Sequence, residues 1–142
     1  MKIVKQLIII IIPVILVVIV GGLCYLFIPR SLTNIVPTDN IICIYYEYDS
    51  TDTAEQIFLT EQEQQELKDI LSKKKYRPQN IAEKAVSSRR ICILYKDGMS
   101  IQMDSCRITK IKDASSKKYS IHLIGKGNLF KFFPEQDDLI LK

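Results

Sequence analysis

The chain has 142 residues, room for an anchor and one domain, with 47% hydrophobic and 25% charged residues and a formal net charge of +4. That charge excludes a general nucleic-acid footprint: Lys2, Lys5 and Arg30 flank an apolar segment, and the other 17 bases face 16 acids, leaving +1 for the rest. Four cysteines exclude a dense disulfide scaffold, and Cys43, Cys92 and Cys106 match no zinc spacing.

Residues 7–28 carry no charge, and all but Pro13, Gly21, Gly22, Cys24 and Tyr25 are Ile, Leu, Val or Phe. As a helix the run spans roughly 33 Å at 1.5 Å per residue, enough for a hydrocarbon core of about 30 Å. Insertion is favourable by roughly 5–10 kcal/mol before the proline and glycines are subtracted. The run is too long for the apolar stretch of a cleaved signal, and no pair of small residues follows it. Cys24 does not fit a lipid-attachment box either: Leu23 and Gly21 reverse the order of the small and leucine positions, and apolar residues follow. It reads as a small apolar membrane residue. Lys2 and Lys5 outweigh Arg30, so the positive-inside rule places the short N-terminus in the cytosol and the remainder outside.

Residues 31–40 are polar around Pro37 and read as a linker. Residues 41–48 (IICIYYEY) form a strand with both faces largely apolar. Asp49 to Thr53 is a turn, and residues 55–59 return as a second strand. Thr60-Glu61-Gln62-Glu63 is a capping box, and Leu67, Ile70 and Leu71 share one face of a helix over about residues 61–74. Lys73, Lys74 and Lys75 sit at its negative end, with Pro78 closing the segment. Asn80 to Glu83 allows a short capped helix within a polar run. Asp97-Gly98, between two β-rich runs, predicts a two-residue type I′ hairpin. That turn opposes Leu94 to Ile101 and Cys92 to Met103 on the core side, and leaves Cys106 on the side away from Cys92. Residues 106–112 continue as a strand, 113–118 as a loop, and 119–124 as a strand. Residues 125–128 turn, and 129–133 return. A last helical turn could open at Pro134.

Between Ser31 and Leu67 there are eight acids and no Lys or Arg, whereas bases dominate from Lys68 to Lys126. One dimension does not say whether these blocks form two faces or neutralise each other.

The chemical candidates each have a plainer reading. His122 is the only histidine, which excludes a histidine pair at a metal, and it reads as a strand residue. Gly125-Lys126-Gly127 lacks P-loop spacing and reads as a tight turn. Residues 73–77 (KKKYR) could touch an anionic surface, but they suit a helix end equally well. Asp49, Asp52 and Glu55 lack the EF-hand pattern and read as a solvated turn. Cys43, Cys92 and Cys106 read as small buried residues, since no motif lowers a thiol pKa. Three cysteines beyond the apolar segment leave at least one unpaired or intermolecular. No catalytic, cofactor or metal residue is assigned.

The expected fold is α+β: an anchor within residues 1–30, a linker over 31–40, and a domain over 41–142 with a mainly antiparallel sheet and one helix on a face. In layout, with an anchor, a strand, a helix opening at Thr60 and antiparallel strands over 91–133, the chain resembles small uncharacterised membrane-anchored envelope proteins of Gram-positive bacteria. The resemblance implies that layout and no functional residue. The expected partners are the bilayer through residues 7–28 and a protein or anionic envelope component. Non-enzymatic binding is the leading expectation. A carboxylate-based enzyme at the membrane surface, or an immunity or regulatory protein, is the alternative.

Overall fold

A computed structural model describes residues 2–49, 54–79 and 88–134. Helix α1 runs over Lys2–Phe27 with Pro13 inside it. Its stretch Ile8–Phe27 is the one described helix long and apolar enough to cross a membrane, and none of that stretch is buried against the rest of the chain.

Eight described strands follow: β1 (Arg30–Ser31), β2 (Ile41–Asp49), β3 (Ala54–Phe58), β4 (Lys75–Pro78), β5 (Arg89–Tyr95), β6 (Ser100–Met103), β7 (Arg107–Lys112) and β8 (Ser115–Ile124). They join in the order β1-β4-β8-β7-β6-β5-β2-β3. Every pair is antiparallel. Helix α2 (Glu61–Lys73) packs Leu67 and Leu71 into the core formed by one sheet face. The class is α+β, as the sequence predicts.

Helix α2 begins where its side chains satisfy the first free amides. Thr60 Oγ1 accepts from Glu63 N at 3.3 Å, and Glu63 Oε2 accepts from Thr60 N at 2.8 Å. Those bonds from the Thr60 backbone and hydroxyl hold the Glu63 carboxyl below its ordinary pKa. Gln64 then fastens the helix to the sheet: it accepts from Ile44 N at 3.1 Å and donates to Leu59 O at 2.9 Å.

Four local expectations need correction. The segment 31–40 is no free linker: Leu32, Ile35 and Val36 are buried in the core, and Leu32–Asn34 form a 3-10 turn. Their apolar side chains gain more from burial than the flanking polar residues lose. The helix stops at Lys73, and Lys75–Pro78 forms a strand between β1 and β8, with Lys74 Nζ donating to Gly125 O at 2.8 Å. Residues 129–133 form a turn rather than a strand. Phe130 N donates to Asn128 Oδ1 at 2.9 Å, and Phe133 N to Phe130 O at 3.1 Å. That turn places Phe130 and Phe133 on the Tyr46 ring, at centroid distances of 6.2 and 5.3 Å.

The fourth correction concerns the hairpins. At Asp97-Gly98 the loop has three residues: Tyr95 N donates to Met99 O at 2.9 Å, Gly98 N to Tyr95 O at 3.1 Å, and Gly98 takes φ +78°. Only glycine bears the left-handed conformation there, so Asp97 is spared the positive φ that type I′ demands. The register moves by one residue, pairing Ile91 with Met103 and Ile93 with Ile101. All four are fully buried, whereas Leu94 faces out. The true two-residue hairpin lies in the segment expected as a loop. Lys112 pairs with Ser115 across Asp113-Ala114, whose φ values are +49° and +61°. Asn80 to Glu83, Asp52 and the residues after Pro134 lie outside the described residues.

Strand β8 divides its length between two neighbours. Residues 115–120 pair with β7, and residues 121–124 pair with β4. It thereby joins the short β1–β4 ribbon, next to α1, to the main sheet.

Candidate functional site

Strand alternation gives the sheet one face toward α2 and one away from it. On the outward face one row crosses six strands: Phe58, Tyr45, Cys92, Gln102, Thr109 and Lys118. Beside it runs a charged row, Glu47, Arg90, Asp104 and Arg107. Between the rows lies a depression of about 170 Å³ lined by Arg90, Gln102, Asp104, Arg107, Thr109 and Lys118.

The acids of this row are committed to structure. Asp104 is buried, and its Oδ1 accepts from Cys106 N and Arg107 N, each at 2.7 Å. It closes the bend between β6 and β7. Glu47 lies 3.4 Å from Arg90 Nε and accepts from Cys92 Sγ at 3.4 Å. Burial first, and then the Glu47 charge, push the Cys92 thiol up to about 12. At neutral pH it is a protonated donor, not a nucleophile. Burial also pushes Tyr45 up to about 12.

The β2–β3 end of this face is apolar and open. Among the described residues β3 pairs with β2 alone, so its other edge offers free backbone groups. Phe58 is 65% exposed and lies 5.4 Å from the Tyr45 ring. Leu94 stands on the same face, and Ile42 is exposed at the bulge between Ile41 and Cys43.

The structure disperses the sequence candidates. His122 is exposed on β8, in register with Arg77. Gly125 and Gly127 take φ +117° and +92°. A Cβ on Gly127 would lie 3.0 Å from Ile70 Cγ2, so this turn exists for close approach to α2. Lys73 pairs with Asp69 at 2.6 Å, whereas Lys75 is exposed on β4. Glu55 is exposed on β3, and no described group of three or more His, Cys, Asp or Glu is gathered for a metal ion. All four cysteines are free thiols, Cys24 exposed within α1. The outward face was missed in the sequence because the hairpin register was one residue off, which sent Cys92 and Leu94 to the wrong side.

Three further depressions are lined by described residues. One of about 520 Å³ lies between the Pro37–Asn40 segment and the β5–β6 hairpin. Tyr95 Oη donates to Pro37 O at 2.7 Å at its base, a bond that seals the segment to the hairpin. One of about 360 Å³ lies against α2, between Asp39 and Lys68. One of about 270 Å³ lies where α1 meets the sheet.

Fold and surface define an α+β domain behind an apolar N-terminal helix, with an open sheet face and a strand edge unpaired among the described residues. No protein-family model matches the chain, and no match was found among curated proteins or solved structures.

Proposed function

We propose that this protein is a membrane-tethered, non-enzymatic interaction module whose sheet docks an envelope partner outside the cytosol. The observation that carries the reading is the β3 edge, unpaired among the described residues, with the exposed Phe58 packed beside the half-buried Tyr45. An edge strand without proline or lysine is a template for strand addition, and the adjacent aromatic pair supplies an anchor for a partner side chain. The carboxylate-enzyme alternative draws less support, because Glu47 and Asp104 are held by Arg90, Cys92 and backbone amides. Outward orientation rests on Lys2 and Lys5 against Arg30.

Two measurements test this. Protease shaving of intact cells should remove a tag placed at the C-terminus. A tag that survives while surface proteins are digested would put the domain in the cytosol. A photo-crosslinking residue at Gln56 should give one discrete adduct that disappears with Phe58→Asp. The same residue at Ser72 on α2 should give none. Equal adducts from both positions, insensitive to Phe58, would sink the docking edge.

A further inference from the structure

The passage from membrane helix to sheet contains no lever. Helix α1 ends at Phe27, and β1 begins at Arg30 with its partner residues Tyr76 and Lys75 already in register. Leu32 N donates to Lys74 O at 2.9 Å, and Leu32 is buried immediately after. The 20 residues Ile8–Phe27 span about 30 Å, the thickness of the hydrocarbon core, so Arg30 stands at the depth of the headgroups.

At that point lies the depression of about 270 Å³, with Tyr25, Arg30, Tyr76, Pro78, Tyr119 and Ile121 among its lining. Its volume is near the lower end of small-molecule pockets. The Arg30 guanidinium lies over the Tyr25 ring, 3.9 Å from the centroid, and its Nη2 donates to Tyr25 O at 3.5 Å. Arginine presents a planar fork of donors that matches a phosphate, and the ring beneath fixes its orientation. The surroundings carry one sign of charge: β1, β4 and β8 contain Arg30, Lys75, Arg77, Lys117 and Lys118, and no acid.

We propose that this junction is a phospholipid headgroup site. The phosphodiester of an anionic lipid in the bilayer that holds α1 sits in the depression against Arg30, with the three tyrosines as the polar and aromatic wall. The bound lipid fixes the tilt of the domain on the membrane. Lipid rather than a soluble phosphate is the occupant because the depression opens beside the end of the anchor, where headgroups are at molar local density. The inference rests on α1 being a membrane anchor.

The full chain, reconstituted in phosphatidylglycerol vesicles, is first extracted with alkaline carbonate. Release from the membrane refutes the anchor and the headgroup site with it; retention leaves the site to be judged by lipid binding. Native mass spectrometry of the detergent-solubilised full chain with phosphatidylglycerol should then show a one-to-one adduct. Arg30→Gln should reduce it about tenfold, the loss expected for a charge-assisted hydrogen bond. Tyr76→Phe with Tyr119→Phe should reduce it less, and Arg30→Lys should fall between wild type and Arg30→Gln. An unchanged thermal melt for each variant keeps these losses apart from misfolding. Diacylglycerol, which lacks the phosphate, should give no specific adduct. Three results overturn the proposal: equal adducts in wild type and Arg30→Gln, equal retention of diacylglycerol, or displacement of the lipid by free glycerol phosphate.

Discussion

The two ends of the sheet differ in almost every surface property. The β1-β4-β8-β7 end, joined to α1, is basic: its four strands carry eight Lys or Arg and no acid. The β2–β3 end carries acids and the exposed Phe58, and the first turns of α2 add Glu61, Glu63 and Glu66. The difference teaches how a charge pattern in sequence becomes a field in space. Of the eight acids before Leu67, Glu47, Asp49 and Glu55 lie on β2 and β3, together at one end of the sheet order. Most strand bases lie on β1, β4, β7 and β8 at the other end, while Arg89 and Arg90 of β5 stand beside β2. The blocks are therefore largely separated, touching at the Glu47–Arg90 pair, and the basic one lies next to α1.

If the two ends belong to one core, damage at either should unfold both. Tyr46→Ala, at the acidic end, removes a buried ring packed on Phe130 and Phe133 and leaves the Leu129 carbonyl without the 2.6 Å bond from Tyr46 Oη. It should cost about 3–5 kcal/mol, and Leu32→Ala near α1 about 2–5 kcal/mol, each as a single transition in chemical denaturation. A Leu32→Ala loss below about 0.5 kcal/mol would return residues 31–36 to the status of a tether.

Alkali should probe the acidic end first. Burial pushes Tyr46 up to about 12, above the ordinary phenol value near 10. The folded state therefore holds its proton more tightly than the unfolded state. That contribution is fully present below about pH 10 and is lost as pH rises toward 12. It is on the order of 2 kcal/mol. Cys92, also raised to about 12, adds a loss of the same sign starting near pH 9. Urea midpoints at pH 8.5 and 11.5 would measure the fall, and Tyr46→Phe should reduce it, leaving the Cys92 part.

Smaller effects separate the turns. Thr60→Ala breaks the capping box at the acidic end and should destabilise by about 1 kcal/mol. Ala114→Gly relieves a positive φ at an exposed turn of the basic end and should stabilise by about 0.5–1 kcal/mol. A destabilising Ala114→Gly would show that the tight β7–β8 turn is wrong. The smallest change is Lys112→Gln. It removes a half-exposed pair with Asp97 at 2.8 Å and should leave the urea midpoint almost unchanged.

Elements with strong local signals were legible in sequence. The capping box, the Leu67 and Leu71 spacing and the β-rich run at Ile41 each declare themselves within a few residues. The open face was not legible, because it depends on register. One residue in the Lys96–Gly98 loop decides whether Ile93 or Leu94 enters the core, and Asp97-Gly98 is compatible with both turns. Strand β4 was hidden for a related reason. Lys75 to Pro78 has little intrinsic claim to be a strand, and it becomes one because β1 and β8 supply partners on both sides.

The sequence alone determined an apolar helix long enough to span a bilayer, an α+β class and the place of the second helix. These follow from hydropathy, periodicity and caps, whose energies are local. Only the tertiary structure decided that Leu32, Ile35 and Val36 belong to the core, that most strand acids and bases fall toward opposite ends, and that Arg30 and three tyrosines line one depression beside α1. Those outcomes depend on contacts between residues far apart in the chain, where the gain from shared burial and pairing overrides what each segment would do by itself.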